Sequence, residues 1–154
     1  MLKKLSLWSM VFIVAASIFF FSVEPGSYSQ LRTYKITKYV VQGGEQLVDI
    51  EFDKLHYYIR KGAHFFEYLV LAFFMSLAVS KGRGEAVKQG IAVLLLCTLF
   101  ACIDEGIQTF TAGRTGRVKD IFIDGFGVFM GIIGYNFISG LLDKLKHAID
   151  YKQY

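Results

Sequence analysis

The sequence is short of most features that mark a soluble or secreted fold. It has one proline, two cysteines and one tryptophan in 154 residues, and only 19% of its residues are charged. Two cysteines, Cys97 and Cys102, cannot build a disulfide scaffold, and a lone proline excludes a collagen-like or proline-rich chain. Soluble domains of this length carry about a quarter charged residues, and disordered chains combine more charge with little hydrophobicity. The chain also lacks a phosphate-cradling glycine loop, an H-E-x-x-H pair and a nucleophile elbow. The net charge of +4 is not gathered into a basic stripe, so nucleic acid is not an expected partner.

What the chain has is hydrophobic surface: 54% hydrophobic residues, with 15 Phe and 9 Tyr. The residues read as one all-α membrane domain over 1–154, a compact bundle of four transmembrane helices. The first span is 5–23, which carries no charge and follows Lys3 and Lys4. A lipid-crossing helix needs about 20 apolar residues, more than the apolar core of a signal peptide, so this run is read as a retained helix. Pro25-Gly26 stops it. The second helix is expected over 54–79, with 62–79 as its spanning part, the third over 86–108 and the fourth over 118–142.

Basic residues set the expected orientation. Lys3, Lys4, Lys81, Arg83, Lys88, Lys144, Lys146 and Lys152 fall on the side of the termini, at roughly twice the density of the other side, as the positive-inside bias requires. Both termini are therefore expected in the cytoplasm. The segment 24–53 is expected as an outward-facing loop, because the apolar residues of 28–41 fit neither helical nor strand spacing. From Asp53 onward Leu55, Tyr58, Ile59, Ala63 and Phe66 recur at helical intervals, predicting an interfacial helix that enters the second span.

The embedded polar residues gather at one end of this bundle. His64, Glu67 and Tyr68 lie in the first turns of the second span, and Asp104, Glu105 and Gln108 end the third. Asp120 and Asp124 begin the fourth, and the intervening loop adds Arg114 and Arg117. A charge at the centre of a spanning helix costs about 2.5–3.5 kcal/mol on insertion scales. For the outermost groups, Asp104, Glu105 and Asp120, helix-end solvation and simple pairs such as His64–Asp104 or Arg114–Asp120 stand as the alternative to a role in a site. Glu67 and Asp124 lie a turn deeper, where short carboxylates cannot snorkel, and with His64 they define the candidate site. Gly127 and Gly131 form a close-packing motif. Cys97 and Cys102 are read as core or lipid-facing residues, and His147 as a surface residue.

Two stretches carry a resemblance. Lys61-Gly-Ala-His64-Phe-Phe-Glu67-Tyr68 is similar to the first motif of the VanZ-like family. Asp104-Glu105-x-x-Gln108-x-Phe-x-x-Gly113-Arg114-Thr115-Gly116-x-x-x-Asp120 is similar to the second. The family's usual pattern then places an Asn where this chain has Asp124, which keeps the acceptor and loses the amide donor. The resemblance implies a bacterial cell-envelope membrane protein related to teicoplanin resistance, with lipid, a lipid-linked cell-wall component or the lipoglycopeptide as partner.

Two functions fit the residues. The first is an enzyme acting on a lipid-linked or phosphate-bearing substrate of the outer leaflet. His64, Glu67, Asp104, Asp120 and Asp124 would supply acid–base groups, and Arg114, Arg117, Glu105, Gln108 and Tyr68 would bind substrate. The second is a non-catalytic binder of the same chemistry. A transporter fits less well, since polar residues are sparse in the other halves of the helices. The carboxylates suit a divalent cation, although no cofactor is required by the sequence and zinc is weakly supported by one nitrogen ligand. Topology is testable by labelling cells with an impermeant thiol reagent, using Glu45→Cys and Glu85→Cys in a chain without Cys97 and Cys102. Labelling at 45 alone is expected; labelling at 85 alone reverses the orientation.

Overall fold

In a computed structural model the described residues, 2–43, 52–80 and 83–151, are almost wholly helical. The elements are α1 (Leu2–Val23), α2 (Gly26–Gly43), α3 (Phe52–Val79), α4 (Ala86–Phe110) and α5 (Val118–Tyr151), with a single 3-10 turn, Arg83–Glu85, leading into α4. Among them α1, α3, α4 and α5 are long and apolar enough to cross a membrane. The chain is thus an all-helical, multi-pass membrane protein.

Helix α3 is the central member. It packs most extensively on α5 and also touches α1, α2 and α4. Its contact face runs through Tyr68, Leu71, Ala72 and Met75, all buried, and joins Val11, Ala15 and Ile18 of α1, Val93, Cys97 and Ala101 of α4, and Val128 of α5. The opposite faces carry Phe12, Phe20, Leu95, Leu99, Phe122, Phe126 and Phe137, which are largely exposed. In a bilayer these meet acyl chains, whose apolarity leaves close packing, rather than expulsion of water, to hold the helices together.

Close packing is visible where α5 crosses α3. A Cβ on Gly127 would lie 2.3 Å from the Phe65 carbonyl oxygen, and one on Gly131 would lie 2.3 Å from that of Leu69. The small-residue motif is therefore used inside the bundle. Gly125 and Gly134, on the same helix, have no heavy atom within 4 Å of such a Cβ.

The segment expected as an outer loop, 24–53, is corrected in its larger part, since Gly26–Gly43 is a helix. Pro25 precedes it, and its carbonyl accepts the backbone N–H of Tyr28 at 3.0 Å. The sequence signal failed because the buried positions are not the apolar ones. Thr33 and Thr37, four apart, are buried, and their hydroxyls donate to the carbonyls of Ser29 and Thr33. Leu31, Tyr34, Ile36, Tyr39 and Val41 stay exposed over much of their surface. A hydrophobic-periodicity argument reads the second set and finds no face. Residues 44–51 of that segment lie outside the described residues, Glu24 and Pro25 form the turn before the helix, and Phe52 and Asp53 start α3. The fourth helix also runs past the expected end at 142, continuing to Tyr151.

Overpacking at the glycine contact tests this arrangement. Gly127→Val or Gly131→Val should lower stability by about 1–3 kcal/mol, read as an earlier thermal unfolding of the detergent-solubilised chain. Gly134→Ala, which meets open space, should leave it within about 0.5 kcal/mol.

Candidate functional site

The site is assembled where α1 ends, α3 and α5 begin their apolar stretches, and α4 ends. Asp104 of α4 is fully buried. Its Oδ1 accepts the hydroxyl of Ser22 from α1, and its Oδ2 accepts the Gln108 amide at 3.1 Å. The same amide lies 3.3 Å from the Ser22 hydroxyl oxygen. One carboxylate thus ties the ends of α1 and α4, and both its oxygens are oriented. Thr111 reinforces the junction by donating its hydroxyl to the Ser22 carbonyl at 3.0 Å.

Beside Asp104 lie His64 of α3 and Asp124 of α5. One donor atom from each of the three residues lies within 4.8 Å of the others. Asp124 is fully buried, and neither of its oxygens has a hydrogen-bond partner; the same holds for His64 Nδ1, which lies 4.0 Å from a Glu67 carboxylate oxygen. Unpaired buried polar atoms are costly, so such a group points to a site rather than to packing. Tyr68 is fully buried on the same stretch of α3.

The loop from Thr111 to Arg117 delivers Arg114. Gly113, at φ 72°, makes the turn, and its backbone lies against Gly26 at the start of α2, where the Gly26 N–H donates to the Ala112 carbonyl at 2.9 Å. Arg114 reaches a cavity of about 100 Å³ lined by Arg32, Arg60, His64, Glu67 and Ser22, with Ile18, Phe21, Ile36 and Ile59 as apolar wall. Arg32 pairs with Glu24 and lies 4.5 Å over the Phe21 ring. Arg114 Nε is buried without a partner. Burial, then the neighbouring Arg60, holds the Arg114 guanidinium below its ordinary pKa. The cavity has an excess of cation.

Two sequence-predicted residues are placed elsewhere. Asp120 pairs with Lys61, not with Arg114, and Arg117 is exposed. Both line a separate pocket of about 70 Å³ with Tyr57, Arg60, Lys61 and Thr115. Glu105 accepts the Arg117 backbone N–H at 2.7 Å, so it holds the loop. Sequence reasoning missed Ser22, Arg32 and Arg60 as parts of the site. Ser22 stands at the end of a charge-free apolar run, where nothing in the sequence marks its partner. Arg32 was hidden because its segment was not read as a helix.

The fold and the site define a multi-pass membrane protein with a polar, arginine-lined site enclosed at one end of its helix bundle. A family model described as VanZ/LLP1 matches residues 7–139, so the chain belongs to that family. The membership relates it to membrane proteins of teicoplanin resistance. Comparison with curated proteins and with solved structures finds no match.

The Lys61–Asp120 pair has its own test. Lys61→Met leaves Asp120, 9% exposed in its side chain, without its cation and should cost about 3 kcal/mol. Combining it with Asp120→Leu should restore most of that loss in thermal unfolding. A double variant as unstable as the single one would give Asp120 another partner.

Proposed function

We propose that this protein takes the phosphate-bearing headgroup of a membrane amphiphile, a lipid or a lipid-linked envelope precursor, into the arginine-lined cavity, which opens toward the outer leaflet. The observation that carries the reading is the cavity itself. Three guanidinium groups, from α2, α3 and the α4–α5 loop, border one space together with Ile18, Phe21, Ile36 and Ile59. Arginine presents a planar fork of donors that matches phosphate. The apolar wall suits the first carbons of an acyl or polyprenyl chain. The partly desolvated Arg114 has a donor still to satisfy.

Acid–base chemistry is the second reading, and it is favoured by His64 and Glu67, which line the same cavity. A neutral imidazole bordering a bound phosphoester can take a proton from an attacking hydroxyl or water, and a carboxyl group can return one to a leaving oxygen. Catalysis would then follow from the binding geometry without a covalent intermediate. The basic-residue densities of the sequence support the outward direction, with both termini cytoplasmic.

Arg114→Lys is the discriminating substitution. It keeps the charge and loses the fork, so binding of a phosphate-bearing lipid by the chain in nanodiscs should weaken about tenfold, equivalent to about 1.4 kcal/mol, while thermal stability is unchanged. Lipid binding equal to that of the unsubstituted protein would exclude the phosphate reading. Glu67→Gln should leave binding near normal. If it also stops turnover of the bound lipid, the second reading gains its acid–base group.

A further inference from the structure

Behind the arginine cavity lies a chemically different group of donors, and we infer that His64, Asp104 and Asp124 form a binding site for one divalent transition-metal ion. Three helices deliver the donors, α3, α4 and α5, and one donor atom from each lies within 4.8 Å of the others. Bonds of about 2.1 Å place ligand atoms of a tetrahedral ion roughly 3.4 Å apart. The donors therefore need to close by little more than an ångström, which side-chain rotation supplies.

Asp124 gives the independent sign of a ligand. It is fully buried among helices that face lipid, and both carboxylate oxygens lack a hydrogen-bond partner. Lys61, the nearby ammonium group, is already committed to Asp120. Asp104 is the complement: Ser22 and Gln108 hold its two oxygens, and each oxygen keeps a lone pair for a further partner. Hydrogen bonds of this kind aim a carboxylate ligand and fix its geometry. Two carboxylates and a neutral imidazole around a doubly charged ion sum to zero charge. That sum removes the cost of leaving two anions side by side in a low-dielectric bundle.

The donor set selects the ion. One nitrogen and carboxylate oxygens suit Mn²⁺ first, with Zn²⁺ the weaker candidate because it has a single nitrogen ligand, and both better than the all-oxygen ions Ca²⁺ and Mg²⁺. Soft ions are disfavoured because no thiolate joins the group: Cys97 Sγ is engaged with Met75 Sδ at 3.7 Å, and Cys102 is exposed. The assignment goes beyond the phosphate reading: His64 borders both sites, but Asp104 and Asp124 do not line the arginine cavity, and no arginine belongs to the donor set.

The full chain in nanodiscs, stripped with a chelator and titrated separately with Mn²⁺ and with Zn²⁺, tests the site. One bound equivalent per chain is expected, read by loss of the free-Mn²⁺ paramagnetic signal and by elemental analysis for zinc. Asp124→Asn and His64→Gln should each weaken binding at least about tenfold. Arg32→Gln should keep the full equivalent while losing phosphate-lipid affinity, which separates failure of this site from failure of the phosphate reading. If a variant does not fold, the bound Mn²⁺ of the unsubstituted chain decides, because imidazole ligation gives a nitrogen modulation in its pulsed spectrum. No bound equivalent, no nitrogen modulation, or unchanged affinity in folded Asp124→Asn and His64→Gln overturns the site.

Discussion

The hydrogen bonds that Asp104 accepts from Ser22 and Gln108 are the interaction on which the polar end of the bundle depends. A carboxylate with no exposed surface has no water to turn to, so its donors must come from the chain. One donor comes from the last turn of α1 and the other from the last turns of α4. Satisfying Asp104 therefore requires these two ends to lie side by side, and the turn from α1 to α2 must start beside the loop that leaves α4. That loop carries Arg114, and α2 carries Arg32. The guanidinium groups of Arg32 and Arg114 meet above a carboxylate whose bond to Ser22 holds these two ends together.

The polar end divides into zones with different physical jobs. The Lys61–Asp120 pair and the Glu105 contact to the Arg117 backbone hold the start of α5 and its preceding loop; Lys61 and Asp120 satisfy each other, while Glu105 keeps one oxygen, Oε1, without a partner. The groups around Arg114, His64 and Asp124 are not. Stability and ligand recognition make opposite demands on a buried polar atom, the first wanting every donor matched and the second leaving some to be matched by what arrives. Here the two demands are met by different residues within a few turns of helix.

Much of this was readable in the sequence. Four long apolar runs define four helices because a bilayer leaves the backbone few other ways to satisfy its hydrogen bonds. The polar residues mark one end because their cost in lipid keeps them from being scattered. The gathering of His64, Asp104 and Asp124 follows from the alternating direction of successive helices, which returns α3, α4 and α5 to one side. What could not be read depends on rotation about helix axes and on faces without hydrophobic contrast. Asp120 and Asp124 are both carboxylates one turn apart, yet one meets a lysine and the other meets no hydrogen-bond donor. Helix α2 buries threonines and leaves its tyrosines about half or more exposed, which inverts the pattern that periodicity detects. Ser22 acquires its role only from a residue far along the chain.

The glycines of α5 also bear on the distance between donors. His64 stands on α3 and Asp124 on α5, within a turn of the place where Gly127 brings the backbones of these helices together. The gap across which the two donors face each other is therefore measured out by the absence of a side chain one turn deeper. A single methyl group added there would act as a spacer, and its first effect would be on the width of the site before any effect on the identity of its ligands. In this bundle a residue with no side chain serves as the gauge for residues that have chemistry.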